Sequence, residues 1–567
     1  MKRTVPVFFV LFASACSTSS TIGSTEQALD AESIPAGISS SLSTTVLAAL
    51  QVDGPTKRDQ TWNISSDNAL DDGWILQTPP AQYWGVDGAN FPIAGTCTSG
   101  ANCDVDFGLF RCTTQADCSG GGICTTVAAT VRAPGGTPEQ LCVGHSDVMY
   151  DNFYDVITSA QRWVDVTSLS PPDGRFQAAV RNAISYLGNS GRAVTVRLLF
   201  GDYPIQDDVN SKTMLQTLTR DVPASAPLNV YVGNYRSSDV PPSWNHSKMV
   251  SADEGASIVG GENMWTKDYL GIEPVHDLSM RVRGTAAADV HRFANEGWQY
   301  TCTHQSLLTW LTWSVWSSGW RAGQISNACA PQYAEPANAT AGPGNATVIS
   351  IGRLAEIDPS GKSNQSDAAI RALVGAAQST IRMSLQDLGP PEEAGIALGS
   401  WPDALFAKLG AALVRGVDVY IVVSNPTCRA GGLSPLQAQY ANGWTVAQVA
   451  QKIRDYMLAN PVAGQPSSDA LRALLCQKLH MTSIRFSPSG TWPGGVTAAN
   501  HAKLVFVDDQ AFYIGSQNEY VADLTEFGYL VDDKRAAAQL ATDYWAPLWQ
   551  YSQLDAVSGT EAAQCVL

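Results

Sequence analysis

The sequence is poor in charge, in basic residues and in long apolar runs. Only 15% of its 567 residues are charged, and 52 acidic residues outnumber 35 basic ones, giving a formal net charge of −17. Such a chain lacks the positive surface that duplex nucleic acid requires, so nucleic-acid binding is disfavoured. The apolar runs are short and interrupted, which excludes a multi-span membrane protein. An apolar fraction of 44% still suffices for folding, and the length predicts at least two core units.

The first 16 residues are typical of an export signal. Lys2 and Arg3 precede the apolar run 5–13, which is too short to span a bilayer, and small residues then lead to Cys16. The tetrapeptide ASAC resembles a bacterial lipobox, although Ala13 stands where such signals usually have Leu. Two predictions therefore stay open: an outer-membrane lipoprotein anchored through Cys16, and plain secretion. The Ser- and Thr-rich residues 17–32 predict a flexible tether.

Twelve cysteines in an exported chain indicate disulfides. Six of them fall within a polar insertion at 97–142, namely Cys97, Cys103, Cys112, Cys118, Cys124 and Cys142. Zinc is the alternative, but the insertion lacks a C-x-x-C pair and has no histidine between its cysteines, which favours three disulfides of undetermined pairing. Elsewhere we pair Cys302 with Cys329 and Cys428 with Cys476, which leaves Cys565 unpaired if Cys16 is lipidated.

Strand and helix patterns alternate in the same order twice along the chain. Alternating or apolar strands are predicted at 162–169 and 194–200, with a helix at 176–187 between them. The second half predicts a helix at 370–377, a strand at 380–385, a helix at 404–413 and a strand at 417–423. Alternation of this kind predicts an α/β fold with parallel strand pairs. Two similar halves indicate a duplication, with a site where they meet.

Each half also carries one chemical string, H-x-K-x4-D-x6-G-[GS]-x-N. The first copy comprises His246, Lys248, Asp253, Gly260, Gly261 and Asn263, and the second comprises His501, Lys503, Asp508, Gly515, Ser516 and Asn518. With seven histidines in the chain, two chance copies are improbable. On a strand, His and Lys two residues apart share one face, and the Asp falls on the following turn. The glycines allow a close backbone approach to a substrate, so both Gly-Gly and Gly-Ser bends are predicted to bind it. The two copies thus predict one phosphate surrounded by two lysines and two asparagines.

The paired strings resemble those of the phospholipase D superfamily. GWILQTPP, VTSLSPP, SIRFSPSGTW and WQYSQ are similar to stretches of the secreted, actinomycete-type bacterial phospholipases D. The resemblance implies two pseudo-symmetric α/β halves, each a mixed β-sheet flanked by helices, with one active site at their interface. We place the halves at 33–335 and 336–567. Cys97 and Cys103 resemble the cysteines of a small loop disulfide of the family.

The resemblance also implies a mechanism with two histidines. His246 attacks phosphorus and forms a phosphohistidine, while His501 protonates the leaving alcohol and then activates water or a second alcohol. Non-bridging oxygens are held by Lys248, Lys503, Asn263 and Asn518. Asp277 and Glu526 are the carboxylates expected to orient the histidines, whereas Asp253 and Asp508 are expected to organise the motifs. No cofactor or metal is implied, because two lysines already supply positive charge.

The expected substrate is a phosphatidylcholine-type phospholipid at a membrane or micelle surface, acted on by a monomer that binds no nucleic acid. Trp244, Trp265 and Tyr269 flank the first motif, and an aromatic wall suits a quaternary ammonium. Ordinary packing explains each of these aromatics equally well.

Three other functions are compatible with parts of the pattern. A superfamily nuclease would use the same strings, but often in a short chain that dimerises. A phospholipid synthase would usually carry membrane-spanning segments. A non-catalytic surface protein would have lost a motif His or Lys, and both are present twice.

Overall fold

The computed structural model describes residues 40–201, 211–239, 242–303, 340–358, 360–393, 396–397, 399–426, 428 and 440–567. Within these ranges the strands are β1 Trp62–Asn68, β2 Ile75–Thr78, β3 Cys103–Asp104, β4 Leu109–Phe110, β5 Ile123–Val127, β6 Glu139–Val143, β7 Trp163–Ser168, β8 Thr195–Gly201, β9 Asn229–Asp239, β10 Pro242–Trp244, β11 Met249–Ala252, β12 Ala256–Gly260, β13 Asp277–Arg283, β14 Ala346–Arg353, β15 Thr380–Leu385, β16 Glu392–Glu393, β17 Ile396–Ala397, β18 Asp418–Val423, β19 Leu479–Ser483, β20 Lys503–Val507, β21 Ala511–Gly515 and β22 Glu526–Asp532.

The α-helices of the same ranges are α1 Ser41–Asp53, α2 Val148–Ser159, α3 Gly174–Asn189, α4 Ser211–Leu218, α5 Thr266–Tyr269, α6 Ala286–Thr303, α7 Gln365–Ala376, α8 Asp403–Val414, α9 Val446–Ala459, α10 Ser468–Lys478, α11 Lys534–Leu540 and α12 Ala546–Ser552. The apolar residues of α3 that recur at helical spacing are all buried, as a helix with one face on a sheet requires: Phe176, Ala179, Val180, Ala183, Ile184 and Leu187. None of the helices in the described ranges has both the length and the apolar composition needed to cross a membrane.

Two eight-stranded mixed sheets form the frame of the molecule. Their orders are β10-β9-β8-β7-β11-β12-β13-β2 and β1-β14-β22-β21-β20-β15-β18-β19. When the first order is read from β9 to β2 and the second is read backwards from β19 to β14, seven successive strands correspond one to one. In this correspondence β7 matches β15, β11 matches β20, β13 matches β22 and β2 matches β14. The strand pairs β7–β8 and β15–β18, each separated in sequence by a helix, are parallel. The predicted α/β fold with two similar, mixed-sheet halves is therefore confirmed.

The two sheets pack against each other through a shared apolar cluster. Val259 and Leu278 from the first sheet belong to the same buried cluster as Leu504 and Ile514 from the second. Each half also has a core on its outer side, beneath its helices. The duplicated β-units are thus joined across a dry interface, and the end of that interface is where both motifs lie.

One part of the predicted domain boundary needs correction. Helix α1 and strand β1 lie within the predicted first half, yet β1 pairs with β14 of the second sheet and α1 packs into the core of the second half. Leu47 and Ile64 are buried there, which removes apolar surface that β14 and α7 would otherwise expose. Residues 41–68 therefore belong with the C-terminal sheet. The predicted export signal at 1–16 and tether at 17–32 lie outside the described residues.

The cysteine-rich insertion is closed by three disulfides, which confirms that prediction over zinc. The bonds join Cys97 to Cys103, Cys112 to Cys124, and Cys118 to Cys142. The sulfurs of Cys112, Cys118 and Cys124 lie close enough for a metal, but each is already bonded to another sulfur. The first bond is the loop disulfide that the family resemblance implied.

The pairing predicted for the second half is wrong. Cys476 on α10 bonds to Cys565 instead of Cys428, with Cα atoms 5.8 Å apart, and Cys428 is a buried free thiol. The physical reason is the path of the C-terminal segment, which returns to the sheet: Val557 donates to the Met481 carbonyl, and Leu567 is buried. For the predicted bond between Cys302 and Cys329, the partner Cys329 lies outside the described residues.

Candidate active site

Both motif histidines are held by backbone contacts between the two halves. His246 N–H donates to the Thr525 carbonyl (2.9 Å), and Thr525 N–H donates to the Trp244 carbonyl (3.1 Å). The second motif repeats this arrangement: His501 N–H donates to the His276 carbonyl (2.7 Å), and His276 N–H donates to the Ala499 carbonyl (2.9 Å). Each motif therefore pairs with the segment that precedes the orienting carboxylate of the other half.

This exchange places each imidazole on the carboxylate of the opposite half. His246 Nδ1 lies 3.0 Å from both oxygens of Glu526, and His501 Nδ1 lies 2.6 Å from Asp277 Oδ2. All four side chains are buried. The family resemblance implied both carboxylates, but it did not indicate that each one contacts the histidine of the other half. Because a carboxylate accepts at Nδ1, the other ring nitrogen, Nε2, is left for chemistry.

The motif lysines stand beside the histidines and are also buried. Lys248 Nζ donates to the His246 carbonyl (2.7 Å), and Lys503 Nζ donates to the His501 carbonyl (2.5 Å). Burial lowers the pKa of Lys248 to about 7 and that of Lys503 to about 8, although nearby carboxylates favour the charged forms. Two buried ammonium groups are costly, so the site favours binding of an anion.

Burial also sets the charge of the histidines. It lowers the pKa of His246 to about 4 and holds the pKa of His501 well below its usual range, with both motif lysines adding repulsion. Both imidazoles are therefore neutral near pH 7 while the site is empty of substrate. A neutral imidazole with its proton at Nδ1 has a lone pair on Nε2, which is the form that a nucleophile needs.

The motif asparagines are buried, and each presents one amide end that has no partner among the described residues. Asn263 and Asn518 both leave the atom placed as Oδ1 unpaired, while Asn518 Nδ2 donates to the Tyr520 hydroxyl (2.9 Å). A rotation of either amide about its terminal bond would direct its NH₂ group at the unpaired position. These amides can thus donate to a phosphate oxygen.

The Gly-Gly and Gly-Ser bends make room for the protein's own side chains. A Cβ atom on Gly261 would lie 2.0 Å from Asp277 Oδ1, and one on Gly260 would lie 1.9 Å from Ser279 Oγ. A Cβ on Gly515 would lie 2.1 Å from the Tyr513 hydroxyl. The sequence suggested room for substrate at these bends; the structure fills it with neighbouring strands. Ser516, which matches Gly261, instead donates to Glu526 Oε2 (2.6 Å).

The motif aspartates lie at the opposite end of their strands, on the predicted turns. Asp253 accepts from the backbone N–H groups of residues 161, 162 and 163 just ahead of β7. Asp508 accepts in the same way from residues 378, 379 and 380 ahead of β15. Each aspartate therefore fixes a neighbouring strand of its sheet and does not contact the histidines.

The aromatic residues proposed as a headgroup wall have different surroundings. Trp244 ends β10 and is buried, and Trp265 precedes α5 and is half-buried. Tyr269 is fully buried, donates to Asp277 (2.9 Å) and lies 3.3 Å from His501 Nδ1, so it stabilises the contact between Asp277 and His501. The sequence analysis missed Tyr440, whose ring meets His501 edge-on with centroids 5.0 Å apart and whose hydroxyl donates to Asp268 (2.7 Å).

Arg353 and Thr78 were also missed. Arg353 ends β14 and lies 3.7 Å from Glu526, and Thr78 ends β2 and accepts from His276 Nδ1 (3.0 Å). The stretch GWILQTPP that resembles the family contains Thr78, so a signal existed there. Arg353 ends an apolar strand, and nothing in that pattern marks it.

Two histidines in one buried site, each on a carboxylate of the other half and beside a lysine, define a two-histidine phosphodiesterase. The comparisons agree with this class. The phospholipase D of Streptomyces antibioticus is 32% identical over 442 residues, which cover 70% of this chain and 75% of that protein. The chain therefore belongs to the phospholipase D family. No family model matches it.

Two solved structures are similar in part. A phosphatidylserine synthase of Haemophilus influenzae shows a TM-score of 0.48 at 14% identity, covering 72% of this chain and 85% of the other. A phospholipase D family member from Salmonella typhimurium shows a TM-score of 0.21 at 17% identity, covering 34% of this chain and 91% of the other.

Proposed function

We propose that the protein is a phospholipase D that hydrolyses phosphatidylcholine-type phospholipids to phosphatidic acid and free headgroup. The observation that carries this proposal is the exchange of carboxylates between the halves, which presents two neutral imidazoles to one site beside two buried lysines. The relative from Streptomyces antibioticus, named phospholipase D, supports the choice of substrate class.

The negatively charged phosphodiester balances the positive charge of the two buried lysines. Its non-bridging oxygens accept from Lys248 and Lys503, and from the amides of Asn263 and Asn518 once these present their NH₂ groups. The anion raises the pKa values of both lysines and of His501, because each charged form then has a partner. Substrate binding thus charges the acid that the first chemical step requires.

The first step forms a covalent intermediate. Glu526 accepts a hydrogen bond from the Nδ1–H group of His246, which keeps this proton, and the Nε2 lone pair attacks phosphorus. The bond between phosphorus and the headgroup oxygen breaks, and His501 transfers its Nε2 proton to that oxygen, which releases the alcohol. The resulting phosphohistidine carries positive charge on its ring, and the Glu526 carboxylate stabilises this charge.

In the second step His501 acts as a base instead of an acid. Neutral His501 takes a proton from water, the oxygen attacks phosphorus, and the bond to His246 breaks to release phosphatidic acid. Because the intermediate accepts whichever hydroxyl reaches it, a primary alcohol in place of water gives a phosphatidyl-alcohol. The fold already brings both motifs together in one chain, so we propose a monomer that works at a membrane or micelle surface and binds no nucleic acid.

Export of the chain is part of the same proposal. Disulfides form and persist in oxidising compartments, and four are present among the described cysteines. Anchoring through Cys16 is tested by labelling with a fatty-acid analogue, and label that remains in Cys16→Ser would overturn it.

Release of choline from phosphatidylcholine micelles, with no metal added, tests the activity. We expect choline from the wild type and from His480→Ala, and none from His246→Ala or His501→Ala. His480 is a suitable control because it lies on edge strand β19 and contacts Glu561. With ethanol present, phosphatidylethanol should appear. Cleavage of DNA without choline release would favour a nuclease, and the absence of both activities would favour a binding protein.

A further inference from the structure

The two ends of the active site differ at one pair of matching positions. Arg353 ends β14 and lies directly opposite Glu526, the first residue of β22. Thr78 ends β2 and lies directly opposite Asp277, the first residue of β13. Since β14 matches β2 and β22 matches β13 in the two sheet orders, Arg353 and Thr78 occupy the same place in the two halves.

Both side chains make the same anchoring hydrogen bond. Arg353 Nε donates to the carbonyl of Leu524 (3.0 Å), two residues before Glu526. Thr78 Oγ1 donates to the carbonyl of Val275 (3.2 Å), two residues before Asp277. The correspondence therefore extends to the side chains, and the difference between the two ends is the guanidinium group.

That guanidinium completes a ring of contacts around Glu526. Its Nη2 lies 3.7 Å from Glu526 Oε1, and its Nη1 donates to Asp367 on α7 (3.3 Å). Asp367 also accepts from Gln517 Nε2 (3.0 Å), and the neighbouring Ser516 donates to Glu526 (2.6 Å). The carboxylate that faces His246 is thus held on several sides by fixed partners.

The hydrogen-bond donors of the other carboxylate are neutral. Besides His501, Asp277 accepts from the Tyr269 hydroxyl (2.9 Å) and from the Leu278 N–H group (2.9 Å). Burial raises the pKa of Asp277 to about 6. Burial also opposes ionisation of Glu526, but His246, Arg353 and Lys248 together hold its pKa below the usual value.

We propose that Arg353 is a positioning residue that, through Glu526, commits His246 to covalent catalysis, whereas the uncharged Thr78 end leaves His501 free to exchange its proton. This inference rests on the proposed function. A phosphohistidine carries positive charge on the ring that Glu526 faces, so that end needs a carboxylate that stays ionised and oriented. The acid–base end needs a histidine that gains and loses a proton in each turnover.

Pre-steady-state kinetics with a nitrophenyl phosphodiester separates the two ends. The burst of nitrophenol reports formation of the phosphoenzyme, and the later steady rate reports its breakdown. For Arg353→Met we expect a burst rate about tenfold lower, because Glu526 loses one charged contact, with KM changed less than about twofold. Arg353→Lys should restore part of the burst rate, and Thr78→Val should slow breakdown more than formation.

The pH profile of the burst gives a second readout. Without Arg353, Glu526 takes up a proton more easily, so the acidic limb of the burst rate should move to higher pH. Several charged or titratable groups face or influence Glu526, and they remain in the variant: His246, Lys248, His501, Lys503, Tyr513 and Glu519. A shift on removal of Arg353 alone therefore reports its own contribution.

Arg197→Met is the matched control, because it removes a buried arginine bonded to Asp165 in the first sheet, away from both carboxylates. It should lower the melting temperature and leave the burst and its pH profile unchanged. If Arg353→Met does not fold, Asp367→Asn loosens the same guanidinium and should show the same pH shift. Equal slowing of both steps, or an unshifted profile, would overturn the inference. A wild type without any burst would instead overturn the proposed function.

Discussion

His246 and His501 have nearly the same neighbours and are proposed to carry different steps. Each contacts a carboxylate through Nδ1 and stands next to a lysine bonded to its own carbonyl. Their differences lie one contact further away, in the Ser516–Arg353 side of Glu526 and the Tyr269 side of Asp277. At the scale of the residue, the two histidines therefore differ in the contacts of their carboxylates. Trapping of the phosphoenzyme tests which histidine is the nucleophile.

Trapping of the phosphoenzyme distinguishes the nucleophile from the acid. His501→Ala keeps a nucleophile and lacks the group that protonates the leaving alcohol, so with a good leaving group such as nitrophenol it should form phosphoenzyme slowly and then stall. His246→Ala should form none. Peptide mapping of the trapped protein locates the phosphoryl group, and a phosphohistidine at position 501 in His246→Ala would reverse the assignment.

The perturbed lysines predict that anion binding takes up protons. At pH 8, Lys248 with a pKa near 7 is mostly neutral and Lys503 with a pKa near 8 is half charged. A bound anion raises both values, and it moves the neighbouring histidines in the same direction, so the sign is uptake. Calorimetric titration of inorganic phosphate in buffers of different ionisation enthalpy should show it. The uptake should be smaller in Lys248→Met, and proton release would contradict this prediction.

At the scale of the element, the motif aspartates act on strands. Asp508 follows β20 in a turn where it and Asp509 have φ of 55° and 51°, a conformation that Asp tolerates better than most residues. Its carboxylate collects three N–H groups at the start of β15, as Asp253 does at the start of β7. Each motif aspartate thus fixes the position of β15 or β7, the strand that pairs with the one following the motif histidine.

We expect Asp508→Asn to be a stability variant. It replaces the charged acceptor of several N–H groups with an amide that satisfies fewer of them, which should lower the free energy of unfolding by about 2 kcal/mol. Asp509→Asn is the control, since Asp509 pairs with Arg382 at the surface and such a pair contributes about 0 to 1 kcal/mol. Denaturant unfolding measures both. A variant that loses activity and keeps full stability would indicate a direct catalytic role.

Much of the frame was predictable because it depends on local patterns. The strand at 380–385 matches β15, and the helix at 404–413 lies within α8, because alternation and helical spacing are properties of short windows. The motif spacing likewise predicted the turn positions of Asp253 and Asp508. Local patterns carry no information about which distant segments meet, so neither the pairing of β1 with β14 nor the return of Cys565 to Cys476 was predicted.

At the scale of the whole molecule, the crossed site makes the halves interdependent. The backbone pairs between residues 245 and 525 and between residues 276 and 500 join the sheets at the place where each histidine meets the other half's carboxylate. No window of sequence contains both members of either pair, which are 280 and 224 residues apart. The pairing could only be found by folding the chain, although the four residues themselves were identified from their motifs.

Crossing predicts which substitutions are coupled. Glu526→Gln should slow formation of the phosphoenzyme. Its effect on stability should be smaller in His246→Ala, because both substitutions act on the same pair, and it should combine additively with that of Asp277→Asn. Asp277→Asn should depend in the same way on His501→Ala and should slow breakdown. The measurement is a double-mutant cycle on the free energy of unfolding, in which a coupling of about 1 kcal/mol or more marks a contact. Coupling within each half, between His246 and Asp277 or between His501 and Glu526, would mean that the working enzyme pairs each histidine with the carboxylate of its own half, and the crossed arrangement would then be wrong.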